Sequence, residues 1–385
     1  MSDRSDIIII GGGMAGISAA AKLAPHASVT VLERETSLGY HSTSRSAAIF
    51  IRNYGNATLR ALNASSESEF IEPAGISDRS LLSPRGEMLF GMESELPTLE
   101  AYAEGATGID WLSRTEALDL VPILRPERVD GAIIERGAQE IDVDRMLQGY
   151  ARLTRGHGAK IVSNAGVTAL SWAAGVWHLD TSQGTFEAPV IVNASGAWAD
   201  EVAILAGLGP LGLQPMRRSA VLIPAPDGHD ISRWPLFADA SDGFYAKPDA
   251  GRLMISPVDE DPVAPHDVWA DDMVLAEGLD RYEQAVTVPV TRVERNWAGL
   301  RTFAPDRTPV VGRTGRIWYP NSPGFVRPVR RFDPQPDRRS CRCRTGSTRT
   351  RTPAAQLSSA RIRTSFLGGI RASVAHREFF RQCIS

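Results

Sequence analysis

Gly11, Gly13 and Gly16 stand at the spacing G-x-G-x-x-G, directly after an apolar run over 7–10 and at the head of a small-residue stretch, 15–23, that predicts a helix. Each glycine has a separate task in such a setting. The first permits a tight strand-to-helix turn, the second lets a pyrophosphate approach the backbone, and the third allows close packing of helix on strand. The helix start, with Met14 and Ala15, offers N–H groups and partial positive charge to phosphate oxygens. A second strand, predicted over 28–32, ends at Glu33, whose carboxylate is placed to hydrogen-bond a ribose hydroxyl, with Arg34 beside it. Strand, glycine turn, helix, strand and terminal acid in this order predict a dinucleotide site. An ordinary βαβ unit with a glycine turn is the plainer account of the same pattern.

The motif alone does not separate NAD from FAD. A nicotinamide-binding domain would usually continue into another helix and a buried strand. Residues 37–48, SLGYHSTSRSAA, instead bring the hydroxyls of Ser42, Thr43, Ser44 and Ser46 around Arg45, followed by Ala47. Such side chains suit a loop and helix start lying along an extended, phosphate-bearing ligand. A serine-rich surface loop has the same composition, but the position directly after Glu33 favours a flavin.

Other elements must position these groups. A helix is predicted over 56–70, and strands over 80–83 and 87–90. Ser113 and Glu116 form a capping-box pattern. Residues 140–164 read as a capped helix, a stop at Gly156 or Gly158, and a strand. Short strands and turns follow from Val167 to Asn193, leading into the turn NASGAWAD. There Gly196 either lets a second backbone segment approach the ligand or simply completes the turn. Beyond Gly212 come the strand candidates RRSAVLIP and GFYAKPDAGRLMISP and a polar helix near 271–286. The expectation is an α/β (α+β) protein with interleaved domains. A Rossmann-like FAD-binding domain takes 1–55, 140–205 and 290–325. A substrate domain on a mixed, largely antiparallel sheet takes 56–139 and 206–289.

With 385 residues and 43% hydrophobic content, the chain can bury a sizeable core. A net charge of −3 gives no global field for nucleic acid, and none is expected as a partner. No apolar run approaches membrane-spanning length and the first strand begins too early for a secretory leader, so a cytoplasmic protein is expected. Cys341, Cys343 and Cys383 all lie near the C-terminus. They make no metal site, and no cysteine in the body could link a flavin covalently, so the FAD is expected to be non-covalent. Lysine occurs only at Lys22, Lys160 and Lys247, so arginine carries most of the positive charge and any single arginine is a weak signal.

The stretches GYHSTSRSAA, LLSPRGEM, VIVNASGAWAD, LGLQPMRRSA, FYAKPDAG and WAGLRTFAPD, in this order, resemble the D-amino-acid oxidase-like FAD superfamily, most of all its D-arginine dehydrogenase branch. The resemblance covers about 6–325. It implies that Arg218 and Arg301 grip a substrate carboxylate, a task that suits the planar, two-point donors of guanidinium. By the same resemblance Tyr245 helps hold that carboxylate, Tyr54 is an active-site tyrosine, and Glu87 meets a cationic side chain, favouring D-arginine and D-lysine. The implied reaction is oxidative deamination of a small amino acid to a 2-oxo acid and ammonia. The reduced flavin would pass its electrons to a quinone or electron-transfer chain, or to oxygen. A glycine- or sarcosine-type amine oxidase is the enzymatic alternative, and an impaired flavin-binding remnant the non-catalytic one.

Two departures stand out. Ile49 occupies the place of an active-site histidine of D-arginine dehydrogenase. After NSPGF, where the family has a glycine-rich segment and a helix, this chain continues VRPVRRFDPQPDRRSCRCRTGSTRTRTPAAQ. The segment 326–385 has a composition that reads as disordered, or as a frameshifted remnant of an ancestral gene.

Overall fold

Runs such as IIII, VTVL and VIVN are what strands covered on both faces require, and they build the centre of a six-stranded sheet. The computed structural model describes residues 3–314 and 317–321, so the segment 326–385 and the three cysteines lie outside the described residues. The sheet order is Lys160–Val162, Val29–Leu32, Ile7–Ile10, Val190–Asn193, Ile317–Asn321, Val310–Thr314. All neighbours are parallel except the last pair. Helices Met14–Leu23 and Val143–Gly156 cover one face, burying Ile17, Ala20, Leu147 and Tyr150 against Ile9 and Val31. A four-stranded sheet covers the other face through Trp177, Leu179 and Phe186. Asp142 caps the second helix by accepting from the Arg145 N–H at 2.9 Å.

The first helix lies close to the sheet because its residues are small. A Cβ added at Gly16 would stand 1.9 Å from the Gly11 carbonyl oxygen. The third glycine of the motif therefore serves the packing of helix start on turn.

A nine-stranded sheet forms the second layer. It contains Glu87–Gly91, Ile109–Leu112, Gly131–Glu135, Gln214–Pro224, Leu236–Asp239, Tyr245–Asp249, Arg252–Ser256, Asp261–Pro262 and Arg295–Phe303. Every pairing is antiparallel except that of Glu87–Gly91 with Leu236–Asp239. Helices Arg114–Leu120 and Asp272–Ala285 contribute to the core around Phe90, Phe237, Phe244 and Tyr282.

Local expectations shift in three places. The helix start expected within 37–48 is a run of turns over 38–45. The Arg45 guanidinium ties that run to the carbonyls of Val268 and Ala298 and to the Asp267 carboxylate, which favours the turn over a helix. The strand expected over 80–83 is Leu82–Pro84, in a small sheet with Ile49–Phe50 and Gln139–Ile141. The described part of the segment 290–325 divides between the layers. Arg295–Phe303 pairs along Gln214–Pro224 in the larger sheet, and only the hairpin of Val310–Thr314 and Ile317–Asn321 joins the six-stranded one.

Gly16→Ala is expected to lower stability by about 1–3 kcal/mol, because the methyl must force helix and turn apart. This runs against the better helix propensity of alanine, worth about 1 kcal/mol. A thermal midpoint equal to or above the parent's would contradict the packing.

Candidate active site

One cavity of about 1370 Å³ runs from the glycine turn to the face of the larger sheet. Gly16 is the only expected site residue that does not line it.

At the nucleotide end, Gly11 takes φ +111°, and a Cβ there would stand 2.4 Å from the Ala194 carbonyl oxygen. The turn thus lies against the backbone of Ala194 and Ser195. Gly13 caps the helix with no side chain, and the nearest atom to a Cβ there would be Thr43 Oγ1 at 3.4 Å. Thr43 Oγ1 accepts from the Met14 N–H at 3.1 Å, and Ala15 follows on the cavity wall. Glu33 is buried; its Oε2 accepts from the Gly12 N–H at 2.6 Å and its Oε1 from the Glu35 N–H at 2.8 Å. Burial raises this carboxyl above the usual range, opposed by the two backbone donors. Each oxygen keeps acceptor capacity for a ribose hydroxyl.

Arg34 lies over the Trp198 ring, 4.6 Å from its centroid. Val167 begins its strand two residues after Ala165, whose N–H donates to the Glu33 carbonyl at 2.7 Å. Ser42 Oγ donates to the Leu300 carbonyl at 2.5 Å, and Ser46 Oγ accepts from the Ala48 N–H at 2.9 Å. These two hydroxyls hold the loop itself, and Ala47 packs beside Tyr245 and Trp297 in a cluster at the sheet face. Gly196 takes φ +57° with open space at its missing Cβ, while the close approach to Gly11 is made by Ala194. The side-chain-free cradle, the helix start and the buried acid fit the pyrophosphate and ribose of a dinucleotide.

At the other end, strand register brings the arginines together. Arg218 pairs with Gly299 and Met216 with Arg301, so the two arginines are diagonal neighbours on one face. Arg301 Nη2 donates to the Tyr54 hydroxyl at 2.7 Å. Arg218 donates from Nε to the Asp259 carbonyl at 2.8 Å and from Nη2 to Glu260 Oε1 at 2.9 Å. Tyr245 shares the cavity wall with both.

Glu87 sits directly opposite Glu135 across an antiparallel pair. Glu135 is satisfied by the N–H groups of Arg52 and Asn53 and by Asn53 Nδ2. Among the described residues, Glu87 has one donor, the Tyr102 hydroxyl at 2.9 Å. Burial pushes its carboxyl up to about 7; the Tyr102 hydrogen bond opposes this, and Glu135 adds to it.

The match to known proteins extends along the same stretch. The model of the family described as FAD dependent oxidoreductase (DAO) matches residues 6–326. The chain belongs to that family. FAD is therefore its cofactor, and the glycine cradle with Glu33 is the part of the cavity that fits it.

Among curated relatives, glycine oxidase of Geobacillus kaustophilus is 24% identical over 339 residues, covering 81% of this chain and 85% of its own. The sarcosine oxidase subunit beta of Rhizobium meliloti is 25% identical over 336 residues, covering 80% and 77%. The Geobacillus glycine oxidase crystal structure superposes with a TM-score of 0.70 at 24% identity, over 83% of this chain and 89% of that one. The L-α-glycerophosphate oxidase of Mycoplasma pneumoniae with FAD bound gives 0.74 at 18% identity, over 83% and 89%. The curated relatives named are glycine and sarcosine oxidases, where sequence motifs had pointed to the D-arginine dehydrogenase branch. Among the described residues, no cluster of His, Cys, Asp or Glu could hold a metal, and no helix is long and apolar enough to cross a membrane.

Sequence inspection missed Tyr102, Glu135, Glu260 and Arg307 on or beside this cavity. Only Glu135 carried a usable signal, lying at the end of the apolar run GAIIE.

Folded Glu87 keeps its proton up to about pH 7, whereas an exposed glutamate releases it near 4.5. This group's contribution to stability therefore falls as pH rises across that window. Glu87→Gln is expected to raise the thermal midpoint at pH 8 relative to the parent and to leave it nearly unchanged at pH 4.5. Equal shifts at the two pH values would overturn the assignment.

Proposed function

We propose that this FAD-dependent oxidoreductase oxidises the Cα–N bond of small amino acids, with D-amino acids bearing a cationic side chain favoured. The observation that carries the reading is the division of charge along one cavity. Arg218, Arg301, Tyr54 and Tyr245 gather at one wall, and the buried carboxyl of Glu87 lines the same space. A carboxylate at the arginines and a cation at Glu87 would fix the orientation of an amino acid, and such positioning supplies much of the rate of a two-electron transfer.

FAD, when bound, supplies the acceptor for the hydride from Cα. The substrate also loses a proton from its amine, leaving an imino acid that water converts to the 2-oxo acid and ammonia. The guanidiniums hold the carboxylate by planar, charge-assisted hydrogen bonds, and the Tyr54 hydroxyl orients Arg301. Above pH 7 an ionised Glu87 would attract a cationic side chain; below it, the neutral acid would not.

The glycine and sarcosine oxidases among the relatives favour a second reading, in which a smaller or N-methylated glycine is the substrate. It uses the same clamp but offers Glu87 no cationic ligand group.

Anaerobic reduction of the flavin by D-arginine, glycine and sarcosine separates the readings. D-arginine is expected to bleach the flavin fastest, with a preference over a neutral D-amino acid of similar length that grows as pH rises through 7 and is lost in Glu87→Gln. Faster bleaching by glycine or sarcosine would establish the second reading, and none by any of the three would overturn both. Arg301→Lys should raise KM for every carboxylate substrate on the order of 10–100-fold, since the paired donor geometry is lost.

A further inference from the structure

The arginine wall already holds a carboxylate of the chain's own. Glu260 Oε1 accepts from Arg218 Nη2 at 2.9 Å and from Arg307 Nη1 at 3.3 Å, and its Oε2 accepts from Arg307 Nη2 at 2.7 Å. Arg301 Nη1 stands 3.8 Å from Oε1. Three guanidiniums converge on one carboxylate, and all four side chains line the cavity. Burial alone would raise the Glu260 carboxyl, but the Arg307 hydrogen bond and the charges of Arg307, Arg218 and Arg301 hold it below the ordinary glutamate range.

The backbone that carries Glu260 is pinned. The Asp259 carboxylate accepts from the Ser219 N–H at 2.6 Å and from Ser219 Oγ at 2.8 Å, and the Asp259 carbonyl accepts from Arg218 Nε. Val258 takes φ +58°, a left-handed conformation that a β-branched residue adopts only under constraint. A loop fixed at both of these points leaves the side-chain torsions of Glu260 as its freedom to move.

The three contacts are unequal. Arg307 grips both carboxylate oxygens and is the most exposed of the three, at 58% of its side chain against 14% for Arg218 and 34% for Arg301. Because the Arg307 side chain is exposed, it can swing together with Glu260, so that Glu260 gives up its bond to Arg218 and its looser contact with Arg301 while keeping both bonds to Arg307.

We propose that Glu260 is a specificity-determining residue of this site: it occupies the arginine clamp as an internal stand-in for the substrate carboxylate, and it withdraws onto Arg307 when a ligand carboxylate takes Arg218 and Arg301. The proposal rests on the reading of those two arginines as the substrate clamp. The exchange spares the clamp from standing as an uncompensated cluster of partly buried cations, a costly state. It also sets a threshold, because a neutral amine lacking a carboxylate has nothing to exchange for Glu260.

The test is the binding of propionate, a carboxylate without an amine, to the purified flavin-loaded protein, followed by calorimetry and by the flavin absorption band. Removing an internal competitor that fills the clamp most of the time raises apparent affinity by the inverse of the free fraction, about tenfold for a clamp that is 10% free. Glu260→Gln is therefore expected to bind propionate about tenfold more tightly. Arg307→Ala should bind it more weakly, since Glu260 then has only the clamp to pair with. The double variant should match Glu260→Gln alone. Unchanged or weaker binding by Glu260→Gln would overturn the proposal, showing that Glu260 merely positions the arginines. Should that variant fail to fold, Glu260→Asp, one methylene short of the clamp, is expected to tighten binding and would overturn the proposal in the same way if it did not. An Arg218→Ala variant separates the two levels: propionate binding that survives it would refute the clamp itself.

Discussion

The antiparallel register between Gln214–Pro224 and Arg295–Phe303 is the constraint on which the rest of the site depends. It sets Arg218 opposite Gly299 and Met216 opposite Arg301, so that both guanidiniums leave the same face. A slip of one residue in either strand would send one arginine to the far side of the sheet, because side chains alternate with period two. The same strand also fastens the nucleotide end. The Ala298 carbonyl accepts from Arg45, and the Leu300 carbonyl accepts from Ser42. Gly299 lies between them, where a Cβ would stand 3.2 Å from Arg45 Cβ. Backbone carbonyls on one edge of this strand thus tie the loop of Ser42 and Arg45 to the arginine wall.

Charge along the cavity is concentrated at two places. Positive groups cluster where Glu260 can answer them, and the opposed carboxyls of Glu87 and Glu135 are relieved in different ways. Glu135 takes three donors from Arg52 and Asn53, which oppose the upward push that burial gives its carboxyl. Glu87 takes one, from Tyr102, and keeps a proton to near neutrality instead. The difference in donor count accompanies a carboxyl pushed up to about 7 at Glu87, which lines the cavity. This is the pattern by which a binding group can distinguish a cationic ligand from a neutral one.

The nucleotide half was legible from local signals. The apolar run, the three glycines and Glu33 act within a few turns of chain, so their spacing alone constrains how they fold. The same holds for the helix capped by Asp142 and for the capping box of Ser113 and Glu116. The hydroxyl-rich loop misled in detail. Its composition suggested a helix start facing a ligand, yet Arg45 finds its partners at Asp267, Val268 and Ala298, far away in sequence, and these hold the loop in turns.

By itself, then, the sequence determined a dinucleotide cradle, because glycine turns, caps and strand alternation are short-range physics, while the resemblance to a family supplied the two arginines proposed as a carboxylate clamp. The tertiary structure alone decided which charges meet. Glu87 faces Glu135, and Arg307 joins Arg218 and Arg301 around Glu260, through strand pairings and loops that close over long stretches of chain. No local periodicity encodes such pairs, since they follow from strand pairings and loops between distant segments, which exist only once the sheets are assembled.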